Sequence, residues 1–363
     1  MSQPPAVPMP AIQRKITPAL VIGGAGFIGC NLSDALLRDG GEVIIFDSLV
    51  RPGVERNLDW LQSRHGARLH VMRGDIREAD AIGEAVADAG AVFHLAGQVA
   101  VTSSLDDPMH DFSVNAQGTL NVLEAVRQLT PATPVIFAST NKVYGSLGDV
   151  AVEVVDGRYL PVDPQMRRHG VSEHRPLDFC TPYGCSKGAA DQYVLDYAHS
   201  FGLRSAVLRM SCIYGPRQFG TEDQGWVAHF LISALRRQAI TIYGDGMQVR
   251  DVLHVNDAVA AYRLLLASID DNAGRAFNLG GGPDNCVSLG MMLDEIATLT
   301  GADAELIRGD WRAGDQLYFV ADTGRLEKSA GWRPTIGWRE GLQDLADWLQ
   351  QSLPLAAQQE LHA

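Results

Sequence analysis

The chain has 363 residues, 46% of them hydrophobic and 20% charged, which gives a substantial core and one large or two closely joined globular domains. A formal charge of −13 argues against nucleic acid or an anionic membrane surface as partner, since either needs a broad basic face; an anionic small molecule needs only two or three placed arginines. Cys30, Cys180, Cys185, Cys212 and Cys286 form no CxxC pair and no apolar run is long enough to span a bilayer, so a disulfide framework, a metal site and a membrane span are not expected, and the thiols point to the cytoplasm.

Residues 1–17 carry four prolines and lack a signal-peptide core; they read as a tail, as do residues 354–363. From Ala19 the pattern alternates. Ala19–Ile22 reads as a buried strand, Phe27–Arg38 as an amphipathic helix, and Glu42–Phe46 and Leu69–Met72 as the next strands. Val92–Leu95, Val135–Phe137 and Ser205–Leu208 follow, with helices predicted at Asp106–Val126 and Tyr183–His199. Near-continuous apolar strands separated by helices predict an α/β fold with a doubly wound parallel sheet of Rossmann type over residues 18–210. After Ser211 turn clusters such as Gly244-Asp245-Gly246 separate shorter elements. Residues 211–353 are expected to form a smaller mixed substrate-binding lobe, with a strand at Phe277–Leu279 returning to the main sheet.

The first strand runs into Gly23-Gly24-Ala25-Gly26-Phe27-Ile28-Gly29 and then a helix. Glycines at 23, 26 and 29 permit a tight turn, a close pyrophosphate and close helix–strand packing. The helix start at Phe27 and Ile28 offers free N–H groups to phosphate. Asp47, 24 residues after Gly23, can accept hydrogen bonds from both adenine-ribose hydroxyls and would repel a 2′-phosphate, which favours NAD over NADP. Asp75 and Ile76, after the third strand, suit the adenine edge.

Tyr183 and Lys187 are four residues apart on a predicted helix, hence on one face. A cation beside a tyrosine favours the phenolate, which can take a proton from a sugar hydroxyl. Thr140, beyond the strand Val135–Phe137, stands where open α/β sheets bind ligands and can relay that proton.

Together the glycine motif, His94-Leu95-Ala96-Gly97, Asn115, Thr140, Tyr183 and Lys187 resemble the extended short-chain dehydrogenase/reductase family, from about Ala19 to Trp348. Within it, HLAGQVAVTSS (94–104), STNKVYG (139–145), PYGCSKGAADQYVLDYA (182–198), RQFGTEDQGWV (217–227) and QVRDVLH (248–254) resemble the CDP-paratose 2-epimerase group. The resemblance implies NAD as cofactor, with Leu95, Ala96, Gly97 and Asn115 beside it, and a nucleotide-sugar substrate, a CDP-sugar being favoured. It also implies that Asn141, Arg217, Gln218, Arg250, Arg312 and Asp315 hold that substrate, and a homo-oligomer is expected. Sugar-nucleotide 4,6-dehydratases carry Asp-Glu where this chain has Asn141-Lys142, so their elimination machinery is missing. Cys212 replaces an asparagine that contacts the diphosphate in many members, which implies a differently held nucleotide. Three alternatives stay open: an epimerase acting at another carbon or on a UDP-sugar, a dehydrogenase that releases its cofactor, and a non-catalytic NAD(H) sensor.

Overall fold

A computed structural model describes residues 18–302 and 304–352; the tails expected at 1–17 and 354–363 lie outside the described residues. Strand–helix repeats open the fold: β1 (Ala19–Ile22), α1 (Phe27–Arg38), β2 (Val43–Asp47), α2 (Val54–His65), β3 (Leu69–Arg73), α3 (Ala79–Ala87) and β4 (Ala91–His94). Three helical pieces, α4 (Val101–Asp106), α5 (Pro108–Phe112) and α6 (Gly118–Leu129), lead to β5 (Val135–Thr140). A hairpin of β6 (Val152–Val155) and β7 (Arg158–Pro161), with α7 (Pro164–His169), precedes α8 (Thr181–Phe201) and β8 (Ser205–Met210). Next come β9 (Cys212–Tyr214), α9 (Trp226–Leu235), β10 (Ile240–Tyr243), β11 (Val249–His254), α10 (Val255–Ala267), α11 (Ile269–Asn272) and β12 (Ala276–Leu279). The chain closes with β13 (Cys286–Ser288), α12 (Leu289–Thr300), β14 (Leu306–Gly309), β15 (Tyr318–Phe319), α13 (Gly324–Ala330) and α14 (Trp338–Ser352).

Seven strands form one sheet in the order β12-β8-β5-β4-β1-β2-β3, every neighbouring pair parallel. The apolar runs of β1, β4 and β5 are buried throughout because both faces are covered. Successive side chains alternate between two cores. Val21, Ile45, Phe93 and Leu208 pack on the α1, α2 and α10 side, while Ile22, Phe46, Val92 and Phe137 pack on the α3, α6 and α8 side. β3, at the sheet edge, is mostly exposed.

The strand order reverses between β1 and β4, so the loops leaving the C-terminal ends of β1, β4, β5 and β8 converge on one crevice. Beyond β8, β11 pairs parallel with β9 and β15 and antiparallel with β13, and β10 pairs with β14. With α9, α12 and α14 these strands enclose a separate core around Phe230, Leu231, Met292 and Leu345. No helix among the described residues is long and apolar enough to cross a membrane.

The helix expected at Asp106–Val126 is broken. Asp107 precedes Pro108, which disfavours the helical conformation; Asp107 sits at φ −136° and ψ 80° and its carboxylate accepts the His110 N–H. Ser113–Gln117 then forms a π turn, and Asn115 lies within it.

Candidate active site

The turn after β1 is closed too tightly for side chains. Gly23 has φ +82°, and a Cβ there would lie 2.7 Å from the Ala96 nitrogen. At Gly29 a Cβ would lie 2.2 Å from the Gly23 carbonyl oxygen. Gly26 caps α1 without a side chain, leaving the first-turn N–H groups free for an anion. Asp47 ends β2 and reaches back to this turn: its carboxylate accepts Ala25 N at 3.0 Å and Leu49 N at 2.9 Å. Burial raises its pKa, against those two N–H donors and Arg51.

Gly23, Gly26, Phe27, Ile28, Gly29 and Leu95 line a cavity of about 250 Å³ that runs to Thr140 and Tyr183. Arg51 lines it too; no local spacing in the sequence singled this arginine out. Ala96 and Gly97 form part of the wall behind it, Ala96 against Gly23 and Gly97 against the Asn115 amide oxygen. Asp75 and Ile76 line neither this cavity nor its neighbour. Asp75 forms an ion pair with Arg77 at 2.5 Å, and Ile76 is buried beneath Gly118.

Tyr183 stands in the first turn of α8, its N–H donating to Ser104 Oγ at 3.2 Å. Lys187, one turn on, is buried; its ammonium donates to the Ala138 carbonyl at 2.7 Å and lies 4.2 Å from the Phe137 ring centroid. Burial pushes the Tyr183 phenol up to about 12, against a hydrogen bond with Thr140. Burial pulls Lys187 down to about 7, against Asp191 and Asp111. Thr140 is the last residue of β5, so the strand carries its hydroxyl to the cavity rim, where it also accepts Lys142 N at 3.2 Å.

Two buried networks fix this set. Ser139 and Arg209 both bond the Asp191 carboxylate, at 2.7 and 2.9 Å, tying β5 and β8 to α8. The Asn115 amide lies 3.1 Å from Asp111, Ser186 and the Gln98 carbonyl, and Ser186 also donates to Asp111. The π turn is what swings Asn115 toward α8, a placement that helical periodicity does not show.

A second cavity, about 450 Å³, adjoins the first and shares Thr140, Asn141, Tyr183, Cys212 and Trp226 with it. Lys142, Arg250, Arg312 and Asp315 line it. Arg250 Nη2 lies 2.6 Å from Asp315 Oδ1, and Arg312 stacks 4.0 Å over the Tyr243 ring. Asp315 is held below the usual carboxylate range: burial opposes, but Arg250 and Lys142 outweigh it. Gln218 lines the first cavity. Arg217 lines neither: it has φ +75° and its guanidinium stacks 3.9 Å over Trp60.

Glycines that a Cβ would close, a free helix N-terminus and a carboxylate at the end of β2 fit a dinucleotide in the first cavity. Fold and site thus define an enzyme that works with a nicotinamide cofactor. The profile of the NAD dependent epimerase/dehydratase family matches residues 19–280, and the chain belongs to that family. Over 336 residues it is 42% identical to CDP-paratose 2-epimerase of Salmonella typhi, across 91% of this chain and 98% of that one. It is also similar to a UDP-glucose 4-epimerase from Thermotoga maritima solved with UDP-glucose: 29% identity, TM-score 0.78, 93% of this chain and 99% of that one. The Thermus thermophilus UDP-glucose 4-epimerase in complex with NAD is 31% identical with TM-score 0.75, across 92% of this chain and 99% of that one. NAD is the cofactor.

Proposed function

We propose that the enzyme is a nucleotide-sugar epimerase that inverts C2 of a CDP-linked dideoxyhexose, interconverting CDP-paratose and CDP-tyvelose. The observation that carries this reading is the 42% identity to CDP-paratose 2-epimerase over nearly the full length of both chains. Asn141 and Lys142 support it, since they leave no carboxyl pair after Thr140 to eliminate water. Inversion at C4 of a UDP-sugar is the second reading, because UDP-glucose 4-epimerases share the fold at 29–31% identity.

In this reading Tyr183 takes the proton of the reacting hydroxyl, with Thr140 bridging the two oxygens. Burial, with Asp111 adding to it and the Thr140 hydrogen bond opposing, holds the phenol at about 12, so a positive charge beside it is needed to bring it into working range. Lys187, fixed on the Ala138 carbonyl, supplies part of that charge and anchors the ribose on the nicotinamide side. Bound NAD supplies a reversible hydride acceptor, so no external reductant is consumed. Arg250 and Arg312 grip the diphosphate and Asp315 orients Arg250. Gly23, Gly26 and the α1 N-terminus take the pyrophosphate of the cofactor.

The test is direct turnover. Purified enzyme is incubated separately with CDP-paratose and UDP-glucose, and the products are resolved by NMR. Conversion of CDP-paratose to CDP-tyvelose is expected. Turnover of UDP-glucose alone, giving the C4 epimer, would move the reading to a 4-epimerase.

A further inference from the structure

We infer that Lys142 is the ligand of the sugar-side phosphate, the phosphate around which the bound sugar turns between the two halves of the reaction. The inference rests on the epimerase reading above and names a further positioning residue for it.

The placement comes from the chain. Lys142 follows Thr140 by two residues in the 3-10 turn Asn141–Tyr144, and its N–H is held by the Thr140 hydroxyl at 3.2 Å. It lines the same cavity as Thr140 and Tyr183. Its ammonium lies 3.9 Å from Asp315 Oδ1, the oxygen that Arg250 holds at 2.6 Å. At 3.9 Å that contact is ionic and too long for a hydrogen bond. Lys142 lines the cavity with 22% of its side chain exposed, so its N–H donors face a bound ligand.

Lys142 comes from the turn that begins at Thr140, whereas Arg250 comes from β11 and Arg312 from the segment before β15; all three line the one cavity. The phosphate next to the sugar is assigned to Lys142 because its turn also carries Thr140. The groups around the ammonium are Arg250, Asp315, Cys212 and Cys180, and burial with Arg250 pulls its pKa down to about 8. Each phosphate of a nucleotide-sugar diphosphate carries one negative charge, and such a charge beside the ammonium opposes that shift and favours the charged lysine. Pinning the sugar-side phosphate places the carbons next to the anomeric centre close to a fixed pivot.

Binding of CDP and CMP to the NAD-loaded enzyme separates the two phosphates. Lys142→Met should weaken CDP by about 10–100-fold, the range for a charged hydrogen bond, and leave CMP within about twofold. Lys142→Arg should retain most CDP affinity. NAD content and thermal midpoint report folding, and Lys142→Gln serves if the methionine variant is unstable. Equal losses for CDP and CMP, or no loss for either, would overturn the assignment. If wild-type enzyme binds neither cytidine nucleotide, the CDP reading fails instead, and the same comparison with UDP and UMP decides Lys142.

Discussion

Single residues carry the chemistry, and two of them give sharp tests. Tyr183→Phe removes the proposed acid–base group and keeps its bulk, so turnover should fall by about 10²–10⁴-fold. Affinity for the nucleotide should hardly change, because Arg250 and Arg312 are elsewhere in the cavity. Near wild-type turnover would remove Tyr183 from the mechanism. Asp47→Ala should weaken NAD by about 10–100-fold and relax discrimination against NADP, measured by cofactor titration of stripped enzyme. If NAD affinity holds, Asp47 serves only the turn it builds with Ala25 and Leu49. At this scale legibility followed locality. The glycine trio, Asp47, Thr140, Tyr183 and Lys187 stand out through short spacing on single elements, and the structure gathers them around one crevice or just behind it. Arg51, Asp111 and Ser186 were not singled out, and the contact that joins Asp111 to Ser186 spans 75 residues of chain. Arg217 was expected at the substrate, but its guanidinium lies over Trp60, and Asp75 pairs with Arg77.

At the scale of elements, the site depends on how β11 is tied to the main sheet. Asp251, fully buried on β11, accepts Gly282 N at 3.1 Å and Ala321 N at 3.2 Å and also bonds the Ser211 hydroxyl. Burial nevertheless pushes its carboxyl up to about 6 from an ordinary 3.8. A carboxyl whose pKa is higher folded than unfolded gives the native state an extra proton. Its contribution to stability is complete below the unfolded value and is lost as pH rises through the folded one. Wild-type enzyme should therefore lose about 2 kcal/mol relative to Asp251→Asn between pH 4 and 7. Thermal midpoints of the two proteins across that range check it, and parallel curves would contradict it. Elements were legible where periodicity is long: the strands and α8 lie within a few residues of their predicted ends. The break at Asp107 and the π turn at Ser113–Gln117 were not, because apolar spacing runs smoothly through both.

The whole molecule brings two adjoining cavities together at the switch point of the sheet, with Thr140 and Tyr183 on their shared wall; the proposed reading gives the cofactor to one and the substrate to the other. The parallel sheet followed from seven apolar segments separated by helical stretches, whereas the pairing of β11 with β9, β13 and β15 depends on contacts that sequence order hides. In the proposed reading the anchoring of the nucleotide, rather than the catalytic groups, selects the carbon that reacts. The central claim is therefore regiochemical, and isotopes test it. A CDP-sugar deuterated at C2 should be inverted with its label retained on the opposite face, with no solvent deuterium entering in D₂O and no isotope effect from label at C4. Solvent deuterium appearing at C2, or label transfer at C4 with C2 untouched, would contradict the account.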